Sequence, residues 1–369
     1  MKLGLFMMPI HPPARVWAES LDEDRECILL ADRVGFAEAF IGEHLTDRAE
    51  SIPSCMMFMA SVANATKHIR FATGTANLAQ IHPAIIAANV AMLDHMLQGR
   101  LIFGISPGAV QSDAEILGLL DDDRNAMFAE AIDMILAIWT QEAPYDFKGK
   151  RWTVGTGATL DRDAGIGIMH RPFQTPYPEI VGSVVAPFSP GIVKMGERGF
   201  HPASANLMHA NWLAGHFNAY AQGCANAGKP ADRSHWRICR NVFVADDEAT
   251  ARAYGGDDST SPYRLACHLV LKKLEMANRL MCFKANKDQP DAALTLDWVT
   301  EELGIVGTVD SVVDQILDLH ERTGGFGTLL YACMDWLDPK LAKRSMELMG
   351  EQVMPRVNAA LARSQAAAQ

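Results

Sequence analysis

The strongest constraint on the fold is an alternation of short apolar segments with amphipathic helical segments, repeated eight times along the chain. The apolar segments have strand length, and the apolar residues between them recur at helical spacing. We predict strands at residues 2–8, 37–42, 69–75, 101–106, 179–184, 202–207, 238–244 and 327–332. We predict helices at residues 20–34, 53–65, 83–98, 124–140, 189–198, 212–227, 309–323 and 338–363.

Eight strand–helix units predict an α/β fold, a closed (β/α)8 TIM barrel. The competing architecture is a doubly wound open sheet, which usually has a glycine-rich turn after its first strand. Residues 9–16 read PIHPPARV and contain no glycine, so the barrel is favoured. Two segments exceed ordinary loop length, residues 141–178 after the fourth helix and 246–304 after the seventh strand. We interpret residues 1–369 as one barrel domain with two insertions that form lids or oligomer contacts.

Charge and cysteine usage exclude several classes of partner. The net charge of −11 disfavours nucleic acid and anionic membrane surfaces, which attract basic proteins. The N-terminal apolar run is short and followed by prolines, unlike a signal peptide, and no segment has the ~20 apolar residues that span a bilayer. The seven cysteines are widely spaced without a C-x-x-C pair, which is typical of reduced thiols in a cytoplasmic protein.

Polar residues at the predicted strand ends suggest a site, because functional groups of a barrel gather at the carboxyl ends of its strands. The fourth strand ends in Ser106-Pro107-Gly108, where backbone can approach a ligand beside a hydroxyl group. The second strand ends in Glu43-His44, and a neutral imidazole there could act as a general base. A structural histidine that satisfies a loop carbonyl is an equally supported interpretation.

Residues 186–191, APFSPG, favour an anion site at the start of a helix. Ser189 is a suitable N-cap and Pro190 suits the first helical position, so free backbone N–H groups would face a phosphate. An ordinary capped helix is the alternative. The chain lacks His-x-His and His-Glu-x-x-His, so a catalytic metal is not expected. Residues 104–108 read Gly-Ile-Ser-Pro-Gly, but Pro107 hinders the sharp turn into a helix that the nucleophile of a serine hydrolase requires, so a hydrolase is not expected either.

Several of these segments together resemble the bacterial luciferase-like family of flavin-dependent monooxygenases, and most of all its diketocamphane- and limonene-type members. The matching segments are residues 35–47, 69–108, 195–199 and 324–331. The resemblance implies a homodimeric barrel that takes reduced FMN (FMNH2) from a separate NAD(P)H-dependent reductase. The flavin would react with O2 to form a C4a-peroxide, which oxygenates a small apolar carbonyl or terpenoid substrate.

The resemblance also assigns roles to residues. His44 matches the histidine that serves the family as base or peroxide stabiliser, and the Gly74–Thr75 bond matches a cis peptide that supports the isoalloxazine ring. The expected cofactor-binding residues are Gly74, Thr75, Asn77, Ser106, Gly108, Phe188, Ser189, Pro190 and Gly191.

Two positions depart from luciferase. Ser106 stands where luciferase has a reactive cysteine, and Pro107 stands where it has a phosphate-binding arginine. The phosphate would then depend on the segment 188–191, with a basic side chain such as Arg171 or Lys194. Two alternatives stay open, a deazaflavin (F420)-dependent dehydrogenase on the same barrel and a non-catalytic flavin-binding protein.

Overall fold

Eight parallel strands close into a barrel in the computed structural model, which describes residues 1–367. The strands are, in chain order, Lys2–Met7 (β1), Glu38–Ile41 (β2), Arg70–Thr73 (β3), Ala76–Asn77 (β4), Leu101–Ser106 (β5), Asp146–Lys148 (β6), Thr153–Gly155 (β7), Glu179–Val184 (β8), His201–Ser204 (β9), Arg237–Ala245 (β10), Gly304–Thr308 (β11) and Thr328–Ala332 (β12). Around the barrel the neighbours are β1, β2, β3, β5, β8, β9, β10 and β12, and β12 pairs with β1.

Helices surround the barrel. They are Trp17–Arg33 (α1), Cys55–Val62 (α2), Pro83–Met96 (α3), Gln111–Ile116 (α4), Arg124–Thr140 (α5), Gly191–Arg198 (α6), Ala210–Asn226 (α7), Glu248–Arg252 (α8), Pro262–Met276 (α9), Leu296–Leu303 (α10), Val309–Thr323 (α11), Pro339–Leu348 (α12) and Met354–Ala367 (α13). No helix within the described residues is long and apolar enough to cross a membrane.

The barrel prediction is confirmed, since each of the eight predicted strands overlaps one barrel strand. The predicted helices at 124–140 and 309–323 have the bounds of α5 and α11. The predicted helix at 338–363 is helical from Pro339 onward, but a π-helical turn at Met349–Val353 divides it into α12 and α13. Gly350 lies in this turn, where a Cβ atom would come within 2.3 Å of the Val34 carbonyl oxygen.

Successive side chains of each strand point alternately into the barrel and towards the surrounding helices, so the core has two layers. Side chains that fill the barrel include Phe40, Ala72, Ile102, Val181, Cys239, Phe243 and Leu330. Side chains between the strands and the helices include Leu5, Ile41, Phe71, Phe103, Ile238, Val242 and Leu329. All seven cysteines are buried and free.

An ion network fills the end of the barrel where the strands begin. Arg237 donates to both carboxylate oxygens of Glu38, at 2.6 and 3.0 Å, and both residues are buried. Its guanidinium also lies 2.9 Å from Glu179, which accepts from Arg70. The guanidinium carbon sits 5.6 Å from the ring centre of Phe40, inside the barrel. Charged side chains therefore close this end, and the open end is where the strands finish.

The two long segments contact different parts of the barrel. Residues 141–178 contain the hairpin β6–β7 and lie against α3, where Trp152 contacts the His82 ring and Gln174 donates to Asp94. The segment 246–304 carries α9 and α10, and α9 reaches the open end of the barrel.

Candidate active site

A chain of hydrogen bonds joins the ends of β3, β4 and β5 at the open end of the barrel. The Gly74–Thr75 peptide bond is cis, as the resemblance implied. The Thr75 hydroxyl donates to Oγ of Ser106 at 2.6 Å, and Ser106 in turn donates to Oδ1 of Asn77 at 2.9 Å. The backbone N–H of Gly108 donates to the same Ser106 oxygen at 3.2 Å. The structure thus brings these five predicted site residues together.

Close packing of β3 against β5 sets this arrangement. A Cβ atom at Gly104 would lie 1.9 Å from the carbonyl oxygen of Thr73, so only glycine fits there. The Thr73 hydroxyl donates to the Gly104 carbonyl oxygen at 2.6 Å. Because the backbones approach so closely, the hydroxyls that follow on the two strands come within hydrogen-bond distance.

His44 lies between two buried carboxylates in the loop after β2. Its Nε2 atom is 2.9 Å from Oε2 of Glu50, and its Nδ1 atom is 3.2 Å from Oδ2 of Asp113. Asp113 belongs to α4 and also accepts from the backbone N–H of Thr46 at 2.9 Å. Its side chain is 1% exposed, and that of Glu50 is 8% exposed.

These partners decide the charge of His44. Burial alone would lower the pKa of the imidazole, but its hydrogen bonds to Asp113 and Glu50 and their negative charges raise the pKa to about 10. At neutral pH the ring is therefore an imidazolium that donates from both nitrogens. This geometry argues against the neutral base considered from the sequence and favours a fixed positive hydrogen-bond donor.

Glu43, the neighbour of His44, has a structural task. Its carboxylate accepts the backbone N–H of Cys55, the first residue of α2, at 3.1 Å. It also accepts the backbone N–H of Asn77 at 3.2 Å. Glu43 therefore ties the loop after β2 to the hydrogen-bonded residues after β3.

An apolar cavity lies at the same open end of the barrel, where strands β1, β9 and β12 finish. Its lining residues are Phe6, Met8, Ile10, Asn206, Leu207, Asn241, Ala266, Cys267, Val270, Leu303, Ala332, Cys333 and Met334. Phe6 and Met8 lie at the end of β1, and Met8 lies against Gly42 in the segment that leads to His44. Met208, after β9, is fully buried in the core, and Trp212 lies in a separate groove beside Phe188.

The predicted phosphate segment needs one correction. Helix α6 begins at Gly191, its N-cap position is Pro190, and no side chain caps it, so Ser189 is not the N-cap. Pro190 already has helical dihedral angles, and the N–H of Ile192 therefore reaches back to the Ser189 carbonyl oxygen at 3.2 Å. Phe188 is 60% exposed and packs edge-on against Trp212 in a surface groove.

Neither basic side chain named for the phosphate contacts this segment. Arg171 donates to Glu142 at 2.6 Å, and Lys194 donates to Glu197 on its own helix at 2.7 Å. Instead the 246–304 segment supplies basic groups. The Lys287 ammonium lies 4.7 Å from the ring centre of Phe188, and Arg279 donates to the carbonyl oxygen of Val185.

A second buried histidine lies where the barrel closes. Nδ1 of His11 is 2.7 Å from Oδ2 of Asp335, and Nε2 is 3.3 Å from Oδ1 of Asp24. Arg15 donates to Asp335 and, at 2.7 Å, to Glu23. These charges surround the loops after β1 and β12. Sequence reasoning did not find this network, although His11 and Asp335 directly follow strand ends.

Comparisons with known proteins agree on one family. The family described as "Luciferase-like monooxygenase" matches residues 1–325. The chain is 31% identical to 4-hydroxyprotoasukamycin monooxygenase of Streptomyces nodosus subsp. asukaensis over 366 residues, which cover 97% of this chain and 92% of that protein. It is 30% identical to limonene 1,2-monooxygenase of Rhodococcus erythropolis over 360 residues, which cover 96% of this chain and 86% of that protein.

A solved structure is also similar along nearly its whole length. It is the oxygenating constituent of 3,6-diketocamphane monooxygenase of Pseudomonas putida, a type II Baeyer-Villiger monooxygenase in complex with FMN. The TM-score is 0.86 at 26% identity, and the match covers 96% of this chain and 98% of that chain.

Proposed function

Since this chain belongs to the luciferase-like family of flavin-dependent monooxygenases, we propose that it is the oxygenase of a two-component system. It uses reduced FMN from a separate NAD(P)H-dependent reductase, together with O2, to oxygenate a small apolar carbonyl or terpenoid compound. The observation that carries the proposal is that the open end of the barrel holds both an apolar cavity and the charged His44, in the loop after β2.

The residues at this end fit a flavin. Nε2 of Gln80 is buried without a hydrogen-bond partner and lies against Gly108. A free N–H donor therefore lies next to the hydrogen-bonded side chains of Thr75, Ser106 and Asn77. The polar edge of a flavin ring offers the carbonyl acceptors that such a donor needs. Lys287 beside Phe188 supplies a positive charge for the phosphate at the start of α6.

Bound reduced flavin would supply the electrons that activate O2. The chain's own residues would control the surroundings of that reaction. The His44 imidazolium would stabilise negative charge that develops next to it, since a fixed donor in a dry site acts strongly. The apolar lining, including Phe6, Met8 and Met334, would exclude water from the reacting atoms.

The cavity lining supports the proposed substrate class. Most of its side chains are apolar, which suits a compact hydrocarbon skeleton. The apolar lining is interrupted by two side-chain amides, those of Asn206 and Asn241. Asn206 donates to Oδ1 of Asn241 at 2.8 Å. Such a pair would orient one carbonyl group of a substrate that is otherwise apolar.

An exposed apolar stripe supports a homodimer. Ile81, Ile85, Met92 and Met96 recur at helical spacing before and along α3, and Ile85 and Met92 are 54% and 64% exposed. Exposed apolar stripes of this kind mark contacts between proteins. A second copy of the chain would cover the stripe with the same residues, as a twofold interface requires.

A reducing compartment, the cytoplasm, fits the cysteines. The sulfur atoms of Cys27 and Cys333 lie 3.4 Å apart but are not bonded. Structural disulfides persist in oxidising compartments, and buried thiols this close stay free where thiols are kept reduced. Titration of thiols in protein isolated anaerobically would test this, with seven reactive thiols after unfolding as the expected count.

The decisive experiment measures coupling. Purified protein receives reduced FMN from an added flavin reductase, and O2 uptake is compared with the loss of a cyclic ketone or a terpene. We expect O2 uptake to match substrate loss. Turnover with a reduced deazaflavin in the absence of O2 would instead identify a dehydrogenase. Tight binding of oxidised FMN without turnover of any compound would identify a flavin-binding protein.

A further inference from the structure

Helix α9 forms one side of the cavity and continues towards His44. Ala266, Cys267 and Val270 on this helix line the cavity. Lys273 follows three residues after Val270 and so lies on the same face of the helix. Its side chain therefore extends from the cavity wall towards the loop after β2.

Two carboxylates of that loop bind Lys273. Its ammonium group contacts Asp47 and lies 3.1 Å from Oε1 of Glu50. The three side chains are 36%, 13% and 8% exposed, so the ion pair is partly shielded from solvent. This contact joins the 246–304 segment to the loop that carries His44.

Glu50 has two oxygens with separate partners. Oε1 faces Lys273, whereas Oε2 accepts from Nε2 of His44 at 2.9 Å. The remaining nitrogen of His44 donates to Asp113 on α4. The charged groups that face His44 are therefore Glu50 and Asp113 directly, with Lys273 and Asp47 behind Glu50. A carboxylate bound on one side only would be free to rotate away from the imidazole.

We propose that Lys273 is a positioning residue that seats α9 over the cavity and, through the same ammonium group, holds Glu50 in contact with His44. Closure of the cavity and orientation of the His44 ring are then one event, because both depend on a single side chain. The inference rests on the proposed function only for its effect on oxygenation, since the contacts themselves require no cofactor.

The test compares Lys273→Met with two reference variants. Lys273→Arg keeps the charge, and Lys272→Met makes the same exchange at the adjacent exposed lysine. NMR of protein labelled with ¹⁵N-histidine, without flavin or substrate, detects the Nε2–H proton of His44. We expect this signal to stay sharp in the wild type, in Lys272→Met and in Lys273→Arg. In Lys273→Met it should broaden through exchange with water, and α9 amide protons should exchange at least tenfold faster.

A second measurement follows oxygenation of whole, flavin-loaded protein. Lys273→Met should lower product formed per O2 consumed severalfold while leaving the affinity for FMN unchanged, and Lys273→Arg should restore most of the coupling. A sharp His44 signal with unchanged α9 exchange in a folded Lys273→Met protein would overturn the inference. If the signal broadens but the wild type oxygenates nothing, the positioning role stands and the proposed function fails.

Discussion

The imidazole of His11 and the carboxylate of Asp335 lie 2.7 Å apart, Nδ1 to Oδ2, and join the loop after the first barrel strand to the loop after the last. His11 is 1% exposed. Burial would lower the pKa of His11, but the hydrogen bonds and charges of Asp24 and Asp335 raise the pKa to about 9. A protonated histidine thus helps to hold the closure of the barrel.

This pair predicts a loss of stability at alkaline pH. A histidine whose pKa is higher in the folded than in the unfolded chain stabilises the fold fully at pH values below its unfolded pKa of ~6.5. That stabilisation is lost as the pH rises through the folded pKa. The free energy of unfolding should therefore fall between pH 6.5 and 9, by at most about 1.4 kcal/mol per pH unit for His11. Urea unfolding of wild type and His11→Gln across this range measures it. A wild-type slope retained in the variant would contradict the prediction.

Replacement of His44 should uncouple O2 consumption from product formation. His44→Ala removes the positive donor at the open end of the barrel, so oxygenation should fall about 10²-fold while H2O2 release rises. His68→Ala, at an exposed histidine before β3, is the control and should behave as wild type. Product and H2O2 are measured together, and unchanged coupling in His44→Ala would remove His44 from the mechanism.

The charge of His44 also predicts a pH profile. Because Asp113 and Glu50 raise its pKa to about 10 despite burial, the imidazolium persists throughout the neutral range. Coupling should therefore stay level from pH 6.5 to 8.5 and decrease as pH approaches 10. A rise in coupling through pH 6.5, as for a neutral histidine base, would contradict the assignment. Coupling is measured with FMN binding recorded at each pH.

Close packing of β3 and β5 makes Gly104 sensitive to substitution. Gly104→Ala places a Cβ 1.9 Å from the Thr73 carbonyl oxygen, so the strands must separate, at a cost of about 2 kcal/mol or more. Gly215→Ala is the control, because a Cβ there, in the middle of α7, contacts nothing within 4 Å. The control should be more stable than wild type by ~0.5–1 kcal/mol. Chemical denaturation compares both.

The proposed homodimer depends on the stripe before and along α3. Met92→Glu places a charge on an exposed apolar position, so pairing of two copies would bury an unpaired carboxylate. We expect the variant to be monomeric in sedimentation at micromolar concentration and the wild type to be dimeric. Gln222→Glu, exposed on α7, adds the same charge elsewhere and should leave the dimer intact. A monomeric wild type would refute the interface.

The barrel could be predicted from the sequence because its signal is periodic. Apolar strands buried on both faces stand out between amphipathic helices, and eight of them leave few alternatives. The two-residue strand β4 and the six-residue helix α4 were missed, since neither is long enough to show a period.

The partners of His44 could not be predicted in the same way. Asp113 lies 69 residues from His44 in the chain, and Lys273 lies 223 residues from Glu50. Such pairs depend on how loops meet above the barrel, which the periodicity of strands and helices does not encode. The sequence feature that comes nearest to indicating these partners is the position of Asp113. It follows the end of β5 by seven residues, in the region where barrel loops carry functional groups.

The buried ion pair of Arg237 and Glu38 closes the end of the barrel opposite the site. A large molecule such as a flavin or an organic substrate would therefore reach the cavity from the open end. For the proposed oxygenase this imposes a sequence of binding, because a large cofactor cannot pass an organic molecule already lodged in the shared entrance. The flavin would bind first and the organic compound second, and oxidised product would depart before spent flavin could be exchanged.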